Sequence, residues 1–348
     1  MSELEIKVNQ YINEQLLNFN NIETNELEGN TLKEQILNRL FSRKWSRKAQ
    51  YEEAKKYTEE KVDNILNRNL NFLFCFCFGG YKHFWTPTYP EPDWAEIFTI
   101  KYLMEYVLPI AQTQDKKVNI EFESEEVALT YMNNTPQEGM DKYNSAFKKI
   151  ISYVNNKTDY PIDLSVVLAR DFYDREELLN KMHNYLPEVQ ERFNNLDEEE
   201  KDIRLKRAET NIMWDGKENL TNISDQEKKQ FIYNSRTLNE AFLDIDYELR
   251  GKEYFEKENL IPLLGSFGLG AGGELWLHLA SNKSSLVDFW AGMGILEIRE
   301  DKIIEKTISK KQFDQIKDEL KKVKLDNDLV KISNNYSWIY VYEGKLPF

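Results

Sequence analysis

The sequence predicts an α/β fold: a Rossmann-like parallel sheet flanked by helices, with a helical excursion and late strands that rejoin the sheet. Three observations carry this expectation. Phe72–Phe78, FLFCFCF, is apolar without alternation and stops at Gly79-Gly80, as a central parallel strand covered on both faces would. Strand-like and helix-like periods then alternate up to Arg170, the pattern of successive βαβ units. A charged, helix-patterned stretch over 174–256 follows, and after Pro262 short strand-like segments return.

Residues 1–30 are polar with weak helical periodicity and read as a separate N-terminal helical segment. Residues 31–348 read as one catalytic domain with the helical insertion inside it. In TLKEQILNRLF, Leu32, Ile36, Leu37 and Leu40 form a helical stripe, and Thr31 with Glu34 has capping-box spacing. DWAEIFTIKYLMEYVLPI reads as a buried helix that ends near Pro109. VNIEF is the second strand and DLSVVLAR the third. Between them Tyr143, Phe147, Ile150, Ile151 and Val154 mark an amphipathic helix. The insertion turns near Trp214-Asp215-Gly216. LWLHLA, GILEI and YSWIYVY are expected strands, ILEIREDKIIEKTI a hairpin around Glu300-Asp301, and SKKQFDQIKDELKKV a helix capped by Ser309.

The bulk properties narrow the function. The chain has 348 residues, 41% apolar and 30% charged, enough for a substantial core. A net charge of −14 argues against a general nucleic-acid or anionic-membrane binder and leaves room only for a local basic patch. No DNA or membrane partner is expected. The first residues carry no secretory apolar core, and no apolar run approaches the roughly 20 residues that span a bilayer, so a cytoplasmic location is expected. Cys75 and Cys77, two apart on one strand, face the same side and read as structural rather than redox-active. His83, His183 and His278 show no metal-ligand spacing, and no P-loop or GxSxG occurs. No metal and no cofactor are expected.

Chemistry is expected past the carboxyl ends of the strands, where open α/β sheets bind ligands. Gly79 and Gly80 permit close approach of a ligand to the backbone. Tyr81 follows, and Lys82 offers a cation. Asp93 and Glu96 stand three apart at the next helix start; either they bind an amine or guanidinium and move a proton, or they simply cap the helix. At the second strand end, Ser124 is a nucleophile or a helix cap, and Glu125 follows it. Arg170-Asp171 closes the third strand. Trp290, beside Ala291-Gly292-Met293-Gly294, shapes a pocket wall or marks close sheet packing. The glycine-rich run SFGLGAGGELWLHL is a lid or a plain loop, and His278 reads as core or surface. Arg39, Arg43, Lys44, Arg47 and Lys48 make a basic run without an acid, able to follow a phosphate backbone or to stand as a solvated helix face.

The order FGGYK, PEPDWAEIF, IEFESEEVAL, MNN and DKYNSAF is similar to the isonitrile synthase family. The loop and the later signature from Ser284 to Gly294 resemble more closely the fungal arginine-containing cyclodipeptide synthases. Together the resemblances cover roughly residues 30–175 and 265–300. Gly80-Tyr81 and His83 depart from the Pro-Phe and Ser of the isonitrile synthases, and no Ser follows the first strand as it does in bacterial cyclodipeptide synthases. The resemblance implies a tRNA-dependent aminoacyltransferase. It would join arginine from arginyl-tRNA to a second charged tRNA or amino acid, giving a diketopiperazine. Glu96 would be the base, with Lys82 and Tyr81 catalytic; Gly79, Gly80, Asp93, Ser124, Glu125, Asp171 and Trp290 would surround the substrate. Arg39, Arg43, Lys44, Arg47 and Lys48 would carry the tRNA. Isonitrile synthesis on a free amino acid and a non-catalytic tRNA- or protein-binding module are the alternatives.

Overall fold

The computed structural model describes residues 2–22, 27–42, 44–45, 52–78, 91–113, 117–124, 136–214, 223–250, 254, 257–264, 276–279, 292–300, 302–308 and 310–348. Five strands form an all-parallel sheet: β1 Leu73–Phe78, β2 Val118–Ser124, β3 Ile162–Leu168, β4 Leu260–Leu264 and β5 Leu277–His278. Their order is β3-β2-β1-β4-β5, so β1 is central, as its unbroken apolar run requires. Phe74 and Phe76 enter the main core on one face, while Leu73 and Cys75 pack with Tyr254 on the other.

β4 contains Pro262 and gave no clear strand pattern in the sequence. The amide of Leu73 donates to the Asn259 carbonyl, which fixes the phase of the ladder. By alternation, Ile261 and Leu263 face β1 with their amides, and the missing N–H of Pro262 points the other way.

In chain order the helices are α1 Glu3–Tyr11, α2 Leu32–Phe41, α3 Glu52–Asn67, α4 Trp94–Thr113, α5 Gln137–Asn155, α6 Arg175–Asn194, α7 Glu198–Trp214, α8 Asp225–Arg250 and α9 Lys310–Ile316. A π-helical turn, Ile12–Leu16, extends α1 and brings Val8, Ile12 and Leu16 into the main core. Thr31 caps α2 as expected, but the Glu34 side chain accepts from the Asn30 amide. Helices α6 and α8 hold a core of their own, including Leu178, Met182, Val189, Phe242 and Ile245. There Glu240 receives Arg204 at 2.9 Å and Arg236 at 2.7 Å.

The late strands divide. β4 and β5 rejoin the parallel sheet. β6 Met293–Arg299, β7 Lys302–Ile308, β8 Lys321–Lys324 and β9 Trp338–Glu343 build a second, mixed sheet in the order β7-β6-β9-β8. The expected β6–β7 hairpin is present, with Glu300 at φ 47° in its turn. The helix expected to run to Val323 ends at Ile316, and Lys321–Lys324 pairs with β9 instead. Val323 is the buried residue of that strand. Burying it against Ile339 and Val341 in the common core outweighs the local helical pattern.

Helix α4 lies between the sheets, against β2 and β3 on one side and β6 and β7 on the other. It is therefore buried nearly all round. It also passes through Pro109 and continues to Thr113 rather than ending there. Proline cannot donate to the carbonyl four residues back, that of Glu105, and its ring crowds the preceding turn. Arg39 supplies the missing donor: Nη2 reaches the Glu105 carbonyl at 2.5 Å, and Nε adds a bond to the Tyr106 carbonyl at 2.9 Å. The guanidinium also lies over Trp45, 4.4 Å from the ring centroid. Arg39 is thus buried and does not belong to an exposed basic face.

Candidate functional site

The strand order reverses between β1 and β4, so the crevice of this sheet opens past Phe78 and Leu264. Gly79, Gly80, Tyr81, Lys82, Glu125 and Trp290 lie outside the described residues, as do Arg43, Arg47, Lys48 and the glycine-rich loop. The surroundings of the crevice are described at the start of α4, at the end of β2 and along α5.

Asp93 caps α4: its Oδ1 accepts from the Ala95 amide at 2.8 Å. Glu96 completes the capping box, with Oε2 accepting from the Asp93 amide at 2.7 Å. The capping alternative left open by the sequence therefore holds for both acids. Glu96 is also 0% exposed, and its Oε1 accepts from the Tyr143 hydroxyl at 2.8 Å. A capping carboxylate is commonly exposed; this one is enclosed by protein. Burial, followed by the charge of Glu96, pushes the Tyr143 hydroxyl well above its ordinary range, so it remains a protonated donor.

The next residue on α5 serves the neighbouring strand. Ser124, the last residue of β2, donates to Asn144 Oδ1 at 2.9 Å, with both side chains buried. Tyr143 and Asn144 thus link the first turn of α4 to the carboxyl end of β2. Ser124 is tied to the Asn144 side chain, and the residues it would cap lie outside the described ones. Asp171 accepts from the Leu168 amide at 3.0 Å and closes the turn after β3.

The start of α4 is also held from the mixed-sheet side. Tyr336 donates to the Asp93 carbonyl at 2.8 Å, Trp94 Nε1 to the Trp338 carbonyl at 2.9 Å, and Asn335 to Glu91 at 3.1 Å. Burial, then Glu96 and Asp93, push the Tyr336 hydroxyl up as well. Gly294 allows β6 to approach: a Cβ there would lie 2.7 Å from the Trp94 carbonyl carbon and closer still to the Ala95 nitrogen. The small-residue run after Trp290 therefore provides close packing at Gly292 and Gly294.

On the opposite face of the sheet lies a polar group that sequence reasoning did not single out. Glu123 is fully buried, and the Cys75 thiol lies 3.7 Å from its Oε2. The Tyr254 hydroxyl donates to Glu121 at 2.9 Å and sits 3.2 Å from Cys75 Sγ. A glutamate that alternates inward from β2 onto a covered face was the available signal, visible only once Tyr254 was known to cover that face. Tyr143 and Asn144 were similarly hidden: their spacing shows a packing stripe, not what their polar ends meet. His278 is buried in β5, on the core side of the expectation.

Lys44 is exposed and lies 4.9 Å from the Trp45 ring centroid. Among the described residues no helix is long and apolar enough to cross a membrane. No protein-family model and no curated protein matches the sequence. Among solved structures, the PvcA protein from Pseudomonas aeruginosa is similar, with a TM-score of 0.66 at 13% identity over 90% of this chain and 100% of that one. At that identity the likeness is one of fold.

Proposed function

We propose that the chain is an enzyme acting on an amino acid at the carboxyl end of β1, and that its reaction is tRNA-dependent cyclodipeptide synthesis with arginine as one component. The observation that supports this most is the enclosed acidic group beyond that strand: Glu96 and Asp93 buried at the start of α4, with the Tyr143 hydroxyl on Glu96. Buried acids at a sheet's ligand end suit a cationic substrate such as an α-ammonium or a guanidinium. The sequence resemblance supplies the reaction class.

In this reading the α-amine of one aminoacyl ester attacks the carbonyl carbon of the other. The new N–C bond forms, the ester C–O bond breaks, and the departing tRNA hydroxyl leaves with a proton. A second, intramolecular aminolysis closes the ring. Glu96 takes the amine proton, directly or through the Tyr143 hydroxyl, and Asp93 anchors the cationic group. Gly80 and Tyr81 backbone amides are the proposed oxyanion donors. The fold likeness to PvcA is equally compatible with the isonitrile alternative.

The test is product formation by the purified protein supplied with arginyl-tRNA and a mixture of other charged tRNAs, read by mass spectrometry. A diketopiperazine containing arginine is expected. An isonitrile from free amino acids, or no new compound under either supply, would overturn the proposal. Glu96→Gln keeps an acceptor for the Asp93 amide and is expected to fold normally. Turnover should fall by about 10²–10⁴, the usual contribution of a general base. Turnover unchanged in a well-folded E96Q protein would remove Glu96 from the chemistry.

A further inference from the structure

A surface groove of about 480 Å³ runs between α5 and the end of β3, lined by Asp141, Asn144, Ser145, Lys148, Lys149, Ser152, Leu168 and Arg170. We infer that this groove is where the phosphate backbone of an RNA lies. The inference deepens the proposed function by placing its tRNA, and it rests on that reading for the identity of the polyanion.

The local charge balance marks the groove as cationic. The chain carries a net charge of −14, yet three cationic side chains meet here against one acid. Arg170 is ion-paired with that acid, Asp141. Burial is the largest single influence on the Asp141 carboxyl and raises it, but the hydrogen bonds from Arg170 and Gln137 and the Arg170 charge together hold it below its ordinary value. Lys148 and Lys149 are exposed and have no ion-pair partner among the described residues. Most other exposed lysines on nearby elements are paired, such as Lys142 with Glu138 at 2.7 Å and Lys117 with Asp163 at 3.0 Å.

The geometry favours an extended anion over a single phosphate. A lone phosphate is held best by donors that converge, above all a guanidinium fork, and the fork here already faces Asp141. The remaining donors follow one another along α5, with Ser145, then Lys148 and Lys149, then Ser152. At 1.5 Å per residue they span about 10 Å, the length of a few backbone phosphates. The groove also leads to the site. Asn144 forms part of its wall while holding Ser124 at the carboxyl end of β2, and Leu168 is the last residue of β3. An RNA lying on α5 would bring its end toward the crevice.

The experiment measures binding of an end-labelled, uncharged tRNA transcript by fluorescence anisotropy across a salt series, with inorganic phosphate as competitor. Wild type is compared with K148E/K149E and with K44E. Both lysines are exposed, so the fold should survive; K148Q/K149Q replaces the reversal if its melting curve shows otherwise. The expected result is tRNA binding by wild type, weakened about tenfold or more by K148E/K149E. The slope of log K against log salt should shrink by about 1.5, for two lost phosphate contacts. K44E tests the rival placement of the tRNA on the basic run from Arg39 to Lys48, and is the variant that loses binding if the tRNA lies there instead. Equal binding by K148E/K149E, loss in K44E alone, displacement by millimolar inorganic phosphate, or no tRNA binding by wild type would each overturn the groove assignment. Product formation is scored separately. A diketopiperazine made equally well by K148E/K149E sinks the groove and leaves the proposed reaction standing. Groove-dependent tRNA binding without a diketopiperazine does the reverse.

Discussion

Gly294→Ala is expected to unseat the start of α4. The added methyl would meet the Ala95 nitrogen, the Trp94 carbonyl carbon and the Trp94 Cβ, two of them at 2.7 Å. Two of the three atoms are backbone, and the helix they belong to is capped by Asp93 and Glu96 and bonded to Trp338 and Tyr336. Rotamer changes cannot make room, so β6 or the helix must shift. Overpacking of this kind costs typically about 1–3 kcal/mol, and the upper end applies here because both partners are held. A urea titration reports the loss as a lower midpoint. The Glu96 carboxyl should move with the helix start, so activity should fall further than stability alone explains. A soluble G294A protein with a wild-type midpoint would show that β6 and α4 are not held together here.

Arg39→Ala should cost about 3 kcal/mol, because it removes two charged hydrogen bonds and leaves the Glu105 carbonyl, already without its helical donor at Pro109, unpaired. Hydrogen bonds from a charged group are worth about 1.5–3 kcal/mol each, and a buried acceptor left without one keeps its desolvation cost. The cause of the need is Pro109, which gives a double-mutant test. In Pro109→Ala the helix can donate to the Glu105 carbonyl itself, and Arg39 then matters less. The cost of removing Arg39 should drop by about 1–2 kcal/mol in that background, a coupling well above additive error. Costs that simply add would separate Arg39 from the proline. The same residue shows how a basic run misleads. Arg39 stands in sequence with Arg43, Lys44, Arg47 and Lys48, but its phase on α2 turns it inward with Ile36 and Leu40.

The central place of β1 was legible because an unbroken apolar run has no solvent side, and only an inner strand meets that condition. The helices α4 and α5 and the strands β2 and β3 followed from period alone. Asp93 and Glu96 were legible as a pair, because capping geometry fixes a spacing of three. What the pair touches was not. Tyr143 is 47 residues from Glu96 and Tyr336 is 243 from Asp93, and no local pattern encodes contacts over such separations.

The sequence alone therefore determined the sheet type, the strand that would be central, the helices behind it and the acids at the helix start, all properties of short-range period and spacing. Tertiary structure decided the rest. It carried α4 through Pro109 because a distant arginine could satisfy the freed Glu105 carbonyl. It turned Lys321–Lys324 from helix to strand because β9 offered a ladder and the core a place for Val323. It assigned β4 and β5 to one sheet and β6–β9 to another, because α4 has two apolar sides to cover. It also gathered Lys148, Lys149 and Arg170 into one groove, which linear spacing could not reveal because Arg170 arrives only when β3 docks beside α5. In each case a free energy of burial or pairing between residues far apart in the chain exceeded a local preference, about 3 kcal/mol for the proline and about 1 kcal/mol or less for the others.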